Sequence, residues 1–163
     1  MNTMGKAGWG VALALALGLG GMSYVFLVKG QTAPYADGRT SVLLTADERA
    51  ASLAEMRDIL ESVQEIMEDT IAGDFDAAKT RATGQGMAAF NQEDPAVIAK
   101  LPIGFKTIGL SLRGGFDDLA TTLENTDDAM EVLDELSSLM LNCVACHQTY
   151  RLGVEGEQIP AQE

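Results

Sequence analysis

Cys143, Cys146 and His147 stand in the pattern C-x-x-C-H, the spacing that attaches a c-type haem covalently. Positions three and four apart on a helix share a face. Two thiols so placed can each form a thioether with one of the two vinyl groups of a haem, while the adjacent imidazole reaches the iron. The motif therefore assigns Cys143 and Cys146 as covalent attachment points for one haem c, and His147 as the proximal iron ligand. A redox dithiol, a zinc site and a pair of small buried thiols use the same residue types. Zinc lacks ligands, because the chain holds 2 Cys and 1 His. A thioredoxin-like pair needs a βαβ setting, and no strand-like alternation of useful length is present.

Little else in the chain could carry chemistry. No acid–base pair, nucleophile–base pair or phosphate-binding loop stands out, so an enzyme is not expected. With 11 Lys+Arg against 24 Asp+Glu the net charge is −13, which excludes a nucleic-acid partner. The acidic balance predicts attraction to redox partner proteins with a basic docking surface, weakened by salt.

The motif must be held by helices. Thr45-Ala46-Asp47-Glu48 has the form of a capping box, so a helix should begin at Ala46. Leu53, Met56, Leu60, Val63 and Met67 then recur at spacings of three and four, with Ile59 and Ile66 widening the stripe, until Gly73. Asp74 can cap a second helix carrying Phe75, Ala78, Ala82, Met87 and Phe90. Pro95 and Pro102 make residues 91–102 a connection or a single turn. A third helix carries Phe105, Ile108, Leu112, Phe116, Leu119 and Leu123, its glycines permitting close approach of another helix or a flat ligand. A fourth, capped by Thr126, carries Met130, Leu133, Leu136, Met140, Cys143, His147 and Tyr150. The expected fold is all-α, an antiparallel four-helix bundle over residues 42–155, followed by a tail over 156–163.

Before it, Ala7 to Val28 run 22 residues without a charge between Lys6 and Lys29, long enough to cross a hydrocarbon core of ~30 Å. Residues 1–29 are expected to form one transmembrane helix, with a cleaved signal peptide as the rival reading. Residues 30–41 read as a linker. Because c-type haem is attached outside the cytoplasm, the domain should face the periplasm from a single-pass anchor in a bacterial inner membrane.

The position of the motif narrows the architecture. Sixteen residues follow His147 and none is Met, so the architecture of small cytochromes that draw a Met ligand from far downstream is not expected. A haem motif on the last of four helices, extended as C-x-x-C-H-x-x-Tyr-Arg through Tyr150 and Arg151, resembles the cytochrome c prime family over about residues 42–155. That resemblance implies a distal haem face supplied by the first helix of the bundle, where an Arg precedes by four positions the residue over the iron. Arg49 and Leu53 match that spacing. Leu53 implies a five-coordinate, high-spin iron in an apolar pocket open to NO or CO, whereas Met56, three residues on, would give a six-coordinate, low-spin iron. Taken as bare sequence, both are ordinary core-stripe positions. The resemblance also sets Arg49 and Arg151 near the haem propionates; Arg151 equally suits a solvated last-turn cation.

The expected function is electron transfer by a membrane-anchored c-type cytochrome. Alternatives are a five-coordinate NO/CO-binding haem protein and an accessory structural subunit of a membrane respiratory complex. The resemblance further raises a homodimer paired through the first helices of the bundle.

Overall fold

The computed structural model describes residues 3–157. The chain begins with helix α1 (Thr3–Ser23), followed without a break by a π-helical turn over Tyr24–Lys29. Next come strands β1 (Thr32–Pro34) and β2 (Thr40–Leu44), then helices α2 (Ala46–Ala72), α3 (Phe75–Gly84), α4 (Met87–Phe90) and α5 (Pro95–Lys100). Helices α6 (Ile103–Asn125) and α7 (Ala129–Thr149) and strand β3 (Tyr150–Val154) complete it.

Local chemistry sets the helix ends. The Thr45 hydroxyl accepts from the Glu48 amide and the Glu48 carboxylate accepts from the Thr45 amide, so the capping box is complete. Gly73 ends α2 in the left-handed conformation at φ 78°. Asp74 caps α3 as expected. Thr126 does not cap the last helix. Its amide ends α6 on the Thr122 carbonyl, and Asp128 accepts from the Met130 amide to begin α7.

Neighbouring long helices run antiparallel. Gln85 donates to Ser62 and Arg81 to Asp69, so α3 retraces α2. Lys79 meets Glu124 while the Met87 amide donates to Asp117, so the α3–α4 segment descends along α6. Gly115 packs on Leu139 and Gly104 on Tyr150, which reverses α7 against α6. All four contribute to one core: Val63 and Ile66 from α2, Ala78 and Ala82 from α3, Phe116, Leu119 and Leu123 from α6, Val132, Leu136 and Leu139 from α7.

The all-α expectation is corrected by a three-stranded sheet. β2 lies in the centre, antiparallel to β1 and parallel to β3. The fold is therefore mostly helical, with this small sheet at the end of the domain where α7 stops. The segment expected as a linker over 30–41 contains β1, the turn and the first two residues of β2, and Tyr150, expected on the last helix, opens β3. Val42, Leu44 and Leu152 bury a second apolar cluster, with Leu53, Met56, Val97, Leu101, Phe105 and Tyr150 packed against it.

The uncharged run expected to form a single spanning helix is divided between α1 and the π-helical turn. Among the described residues, no helix is long and apolar enough to cross a membrane. Side chains from Trp9 to Met22, among them Val11, Leu13, Leu15, Leu17 and Leu19, are exposed. Residues 1 and 2 of the expected anchor and 158–163 of the expected tail lie outside the described residues.

Phe116 has 0% exposure at the centre of the helical core. Phe116→Ala is expected to cost about 3–5 kcal/mol. Ile71→Ala, at a residue 74% exposed on α2, should change stability by under about 0.5 kcal/mol. Urea unfolding of both variants measures the contrast, and equal losses would count against the core assignment.

Candidate functional site

Between the two apolar clusters lies a cleft of about 290 Å³, near the lower end of the range for small-molecule sites. One wall is α2, through Met56, Ile59, Leu60 and Val63. Another is α6, through Phe105, Ile108, Gly109 and Leu112. The third is α7, which presents Met140, Cys143, Cys146 and His147. Phe90 and the α5 residues Val97 and Ile98 close it, with Leu101 and Leu152 at the sheet end.

The helical period of α7 puts the motif on this wall. Met140, Cys143 and His147 are separated by three and four residues, and Cys146 adjoins His147 on the same side. Both cysteines are half-buried free thiols. Burial pushes the thiols of Cys143 and Cys146 up from their ordinary value. They are therefore protonated at neutral pH and bring no charge into the apolar cleft. Just past His147 the helix ends, its last amide bond running from Tyr150 to the Cys146 carbonyl. The Tyr150 ring packs edge-on against Phe105 with centroids 5.4 Å apart. Arg39, from the β1–β2 turn, donates to the His147 carbonyl at 3.4 Å.

Of the residues singled out in the sequence, Cys143, Cys146, His147 and Met56 are brought together on the cleft. Leu53 packs against Val42, Leu44 and Leu152 and is not among the lining residues. Arg49 donates from Nε to the Leu152 carbonyl at 3.0 Å, tying α2 to β3. Arg151 stacks its guanidinium 3.8 Å from the centre of the Tyr35 ring and pairs with Glu157. Neither arginine lines the cleft.

Lys106 and Arg113 do line it, and neither was singled out in the sequence. Arg113 is 5% exposed. It donates to the Gln85 carbonyl at 2.9 Å and to the Gln85 side chain at 3.1 Å, and it pairs with Glu55 and Glu93. A signal was present: Arg113 lies three residues before Phe116, on the stripe that reads as buried. A cation there needs carboxylates around it.

The donor set, two thiols and one imidazole, is the one that covalent haem attachment uses, with His147 exposed and Glu55, Glu93, Lys106 and Arg113 also among the lining residues. Two uncharged thiols and one imidazole share an apolar cleft, and Gly109 contributes a wall position where an added Cβ would meet no protein atom within 4 Å. No group of three or more His, Cys, Asp and Glu that could hold a bare metal ion occurs among the described residues. Comparison with family models, characterised proteins and solved structures found no match to this chain.

Glu55 titrates unusually. Desolvation and the neighbouring Glu93 carboxylate push it up to about 7, against the opposing pull of Arg113. The folded protein thus binds a proton at Glu55 more tightly than the unfolded chain does. Stability from this group is fully present below the ordinary carboxylate range and declines as pH rises from there through about 7. Glu55→Gln should flatten that decline, read as the urea midpoint between pH 5 and pH 8. An unchanged slope would assign the decline to other groups.

Proposed function

We propose that the chain is a membrane-anchored c-type cytochrome that carries one covalent haem and transfers electrons on the periplasmic side of a bacterial inner membrane. The observation that carries this reading is the common cleft: Cys143, Cys146 and His147 line one largely apolar recess between three helices, the two thiols half-buried and His147 exposed at its edge. A haem bound there supplies a one-electron iron couple. The cysteines fix it covalently, and His147 is the one imidazole in the chain that can ligate it.

The remaining lining residues exclude water and set the environment. Ile59, Val63, Ile108 and Leu112 make the recess largely apolar, while the buried Arg113, held by Glu55, Glu93 and Gln85, stands in its wall. Met56 is the sole thioether from the first long helix of the domain among the lining residues, and Leu53 is not one of them. This favours an electron carrier over a gas-binding protein, because the gas-binding reading began from Leu53 above the iron. The antiparallel order of α2, α3, α6 and α7, with the motif on the last, supports a four-helix-bundle likeness to the cytochrome c prime family.

The membrane anchor is supported by the exposed apolar side chains of α1, whose transfer out of water is worth ~25 cal/mol per Å² of apolar surface. The uncharged run continues beyond α1 through the π-helical turn to Val28, so its full length exceeds that of the helix alone. Beyond residue 29 stand 9 cations and all 24 acids, a net −15, which suits a redox partner with a basic face.

Expression of the full chain with haem-maturation machinery tests the reading. Intact mass should exceed the polypeptide by one haem, and a Cys143→Ala, Cys146→Ala double variant should lose that increment. A full-length product with polypeptide mass alone would overturn the proposal. In the loaded protein, a low-spin spectrum unchanged by CO is expected, with Met56→Ala becoming CO-reactive. CO binding by the unaltered protein would instead favour the gas-binding function.

A further inference from the structure

The segment that joins the apolar amino terminus to the haem-motif domain is folded onto the domain. Gly30 follows the π-helical turn directly, is buried, and adopts φ 63°. A Cβ there would meet the Lys100 carbonyl and the Leu101–Pro102 peptide at distances no side chain tolerates, so the backbone of the junction lies flat on the α5–α6 corner. The next residue locks it: the Gln31 amide donates to the Lys100 carbonyl at 2.7 Å, and the Gln31 carbonyl accepts from the Leu43 amide at 2.8 Å.

Two further ties make this corner stiff. The Lys100 ammonium bridges Glu48 at the start of α2 and Glu155 just beyond β3, at 2.7 and 2.8 Å. β2 then pairs in parallel with β3 from Thr40–Tyr150 to Leu44–Val154, joining the amino-terminal segment to the residues that follow His147. Exposed apolar residues gather at the same corner: Val25 and Val28 before the junction, and Ile103, 50% exposed, directly after the buried Pro102. Lys29 is exposed beside them.

We propose that this corner is a lipid-contacting surface. The rigid junction seats the domain on the bilayer with the α5–α6 corner and the motif-bearing end of α7 toward the headgroups, instead of letting it swing on a leash. The inference rests on the anchored part of the function proposed above and is independent of haem. Continuity of the exposed apolar residues Val25, Val28 and Ile103 with the apolar amino-terminal run makes the occupant lipid. An electron acceptor or donor would then meet the cleft close to the membrane plane.

Photocrosslinking of the full chain in nanodiscs of phosphatidylcholine and phosphatidylglycerol tests this. The probe is p-benzoylphenylalanine, introduced at Ile103 or at Met130, an exposed residue about 30 Å along α7 from Tyr150, which packs on Gly104 beside Ile103. Lipid adducts are expected from Ile103 with at least five-fold greater yield than from Met130. A flexible Gly-Ser insertion of eight residues after Lys29 should leave the fold intact, monitored by circular dichroism, and cut the Ile103 yield at least three-fold. Equal yields at the two sites, or an Ile103 yield unaffected by the insertion, overturns the proposal. A chain that fails to enter the nanodiscs overturns the anchor itself and this surface with it, whereas incorporation without Ile103 adducts overturns the surface alone.

Discussion

The arrangement depends on a division of the interior into two apolar clusters that do not merge. Val63, Ile66, Phe116, Leu119 and Leu136 close one half of the long helices onto one another, while Val42, Leu44 and Leu152 anchor a separate cluster at the sheet end. The cleft is the seam between them. Its lining takes Ile59, Val63 and Leu112 from the margin of the first cluster and Met56, Val97, Leu101, Phe105 and Leu152 from the second. Apolar walls of this kind stabilise a fold when something other than water lies against them. A large flat apolar group joined to Cys143 and Cys146 would complete the core as well as perform chemistry, so that on the proposed reading cofactor and core are one structure.

The sheet is small, but it determines where the motif sits. Without β3 the chain beyond α7 would have no fixed course. With it, Tyr150 turns out of the helix onto Phe105 and Leu152 enters the second cluster. Arg49 seals the joint by donating to the Leu152 carbonyl. The arginines expected near the propionates therefore have structural partners: Arg49 holds β3 to α2, and Arg151 lies over Tyr35 against Glu157. Arg113, in the cleft wall, has partners in Gln85, Glu55 and Glu93.

How much could be read from the residues alone follows from the range of the interactions. Helices α2, α3, α6 and α7 announce themselves because a 3.6-residue stripe and a capping residue are local signals. The C-x-x-C-H pattern is local too, and its placement on the cleft follows from helical spacing. The strands gave no comparable signal. Ser41, Val42 and Leu44 of β2 are all buried, which erases the polar–apolar alternation of a one-sided strand, and the β3 partner lies some 110 residues away with no hairpin turn to mark it. Tyr150 even continues the three-and-four spacing of α7, so periodicity alone could not reveal that the helix stops at Thr149. Leu53 and Met56 are separated by less than one turn, and only the presence of the sheet decides which of them faces the cleft.

Charge and rigidity have separate effects on how such a domain would stand on a membrane. Many of its cations are committed internally: Arg81 to Glu65 and Asp69, Lys100 to Glu48 and Glu155, Arg113 to Glu55 and Glu93. The acidic surplus therefore faces solvent, and anionic headgroups would repel it. That repulsion decays over a screening length of about 8 Å at physiological salt, whereas Asp127, Asp128 and Glu131 at the start of α7 lie about 30 Å along that helix from Tyr150. On the proposed reading those far acids would contribute little to the orientation of the domain, whereas the exposed Asp37, Asp47 and Asp94 lie at the sheet end. On that reading a fixed orientation would come from contacts at the near end, where the Gln31 backbone is bonded to Lys100 and Leu43. The acidic far surfaces would, on the same reading, attract a basic partner from the aqueous side, and a fixed stance would present the cleft to that partner at one height above the bilayer.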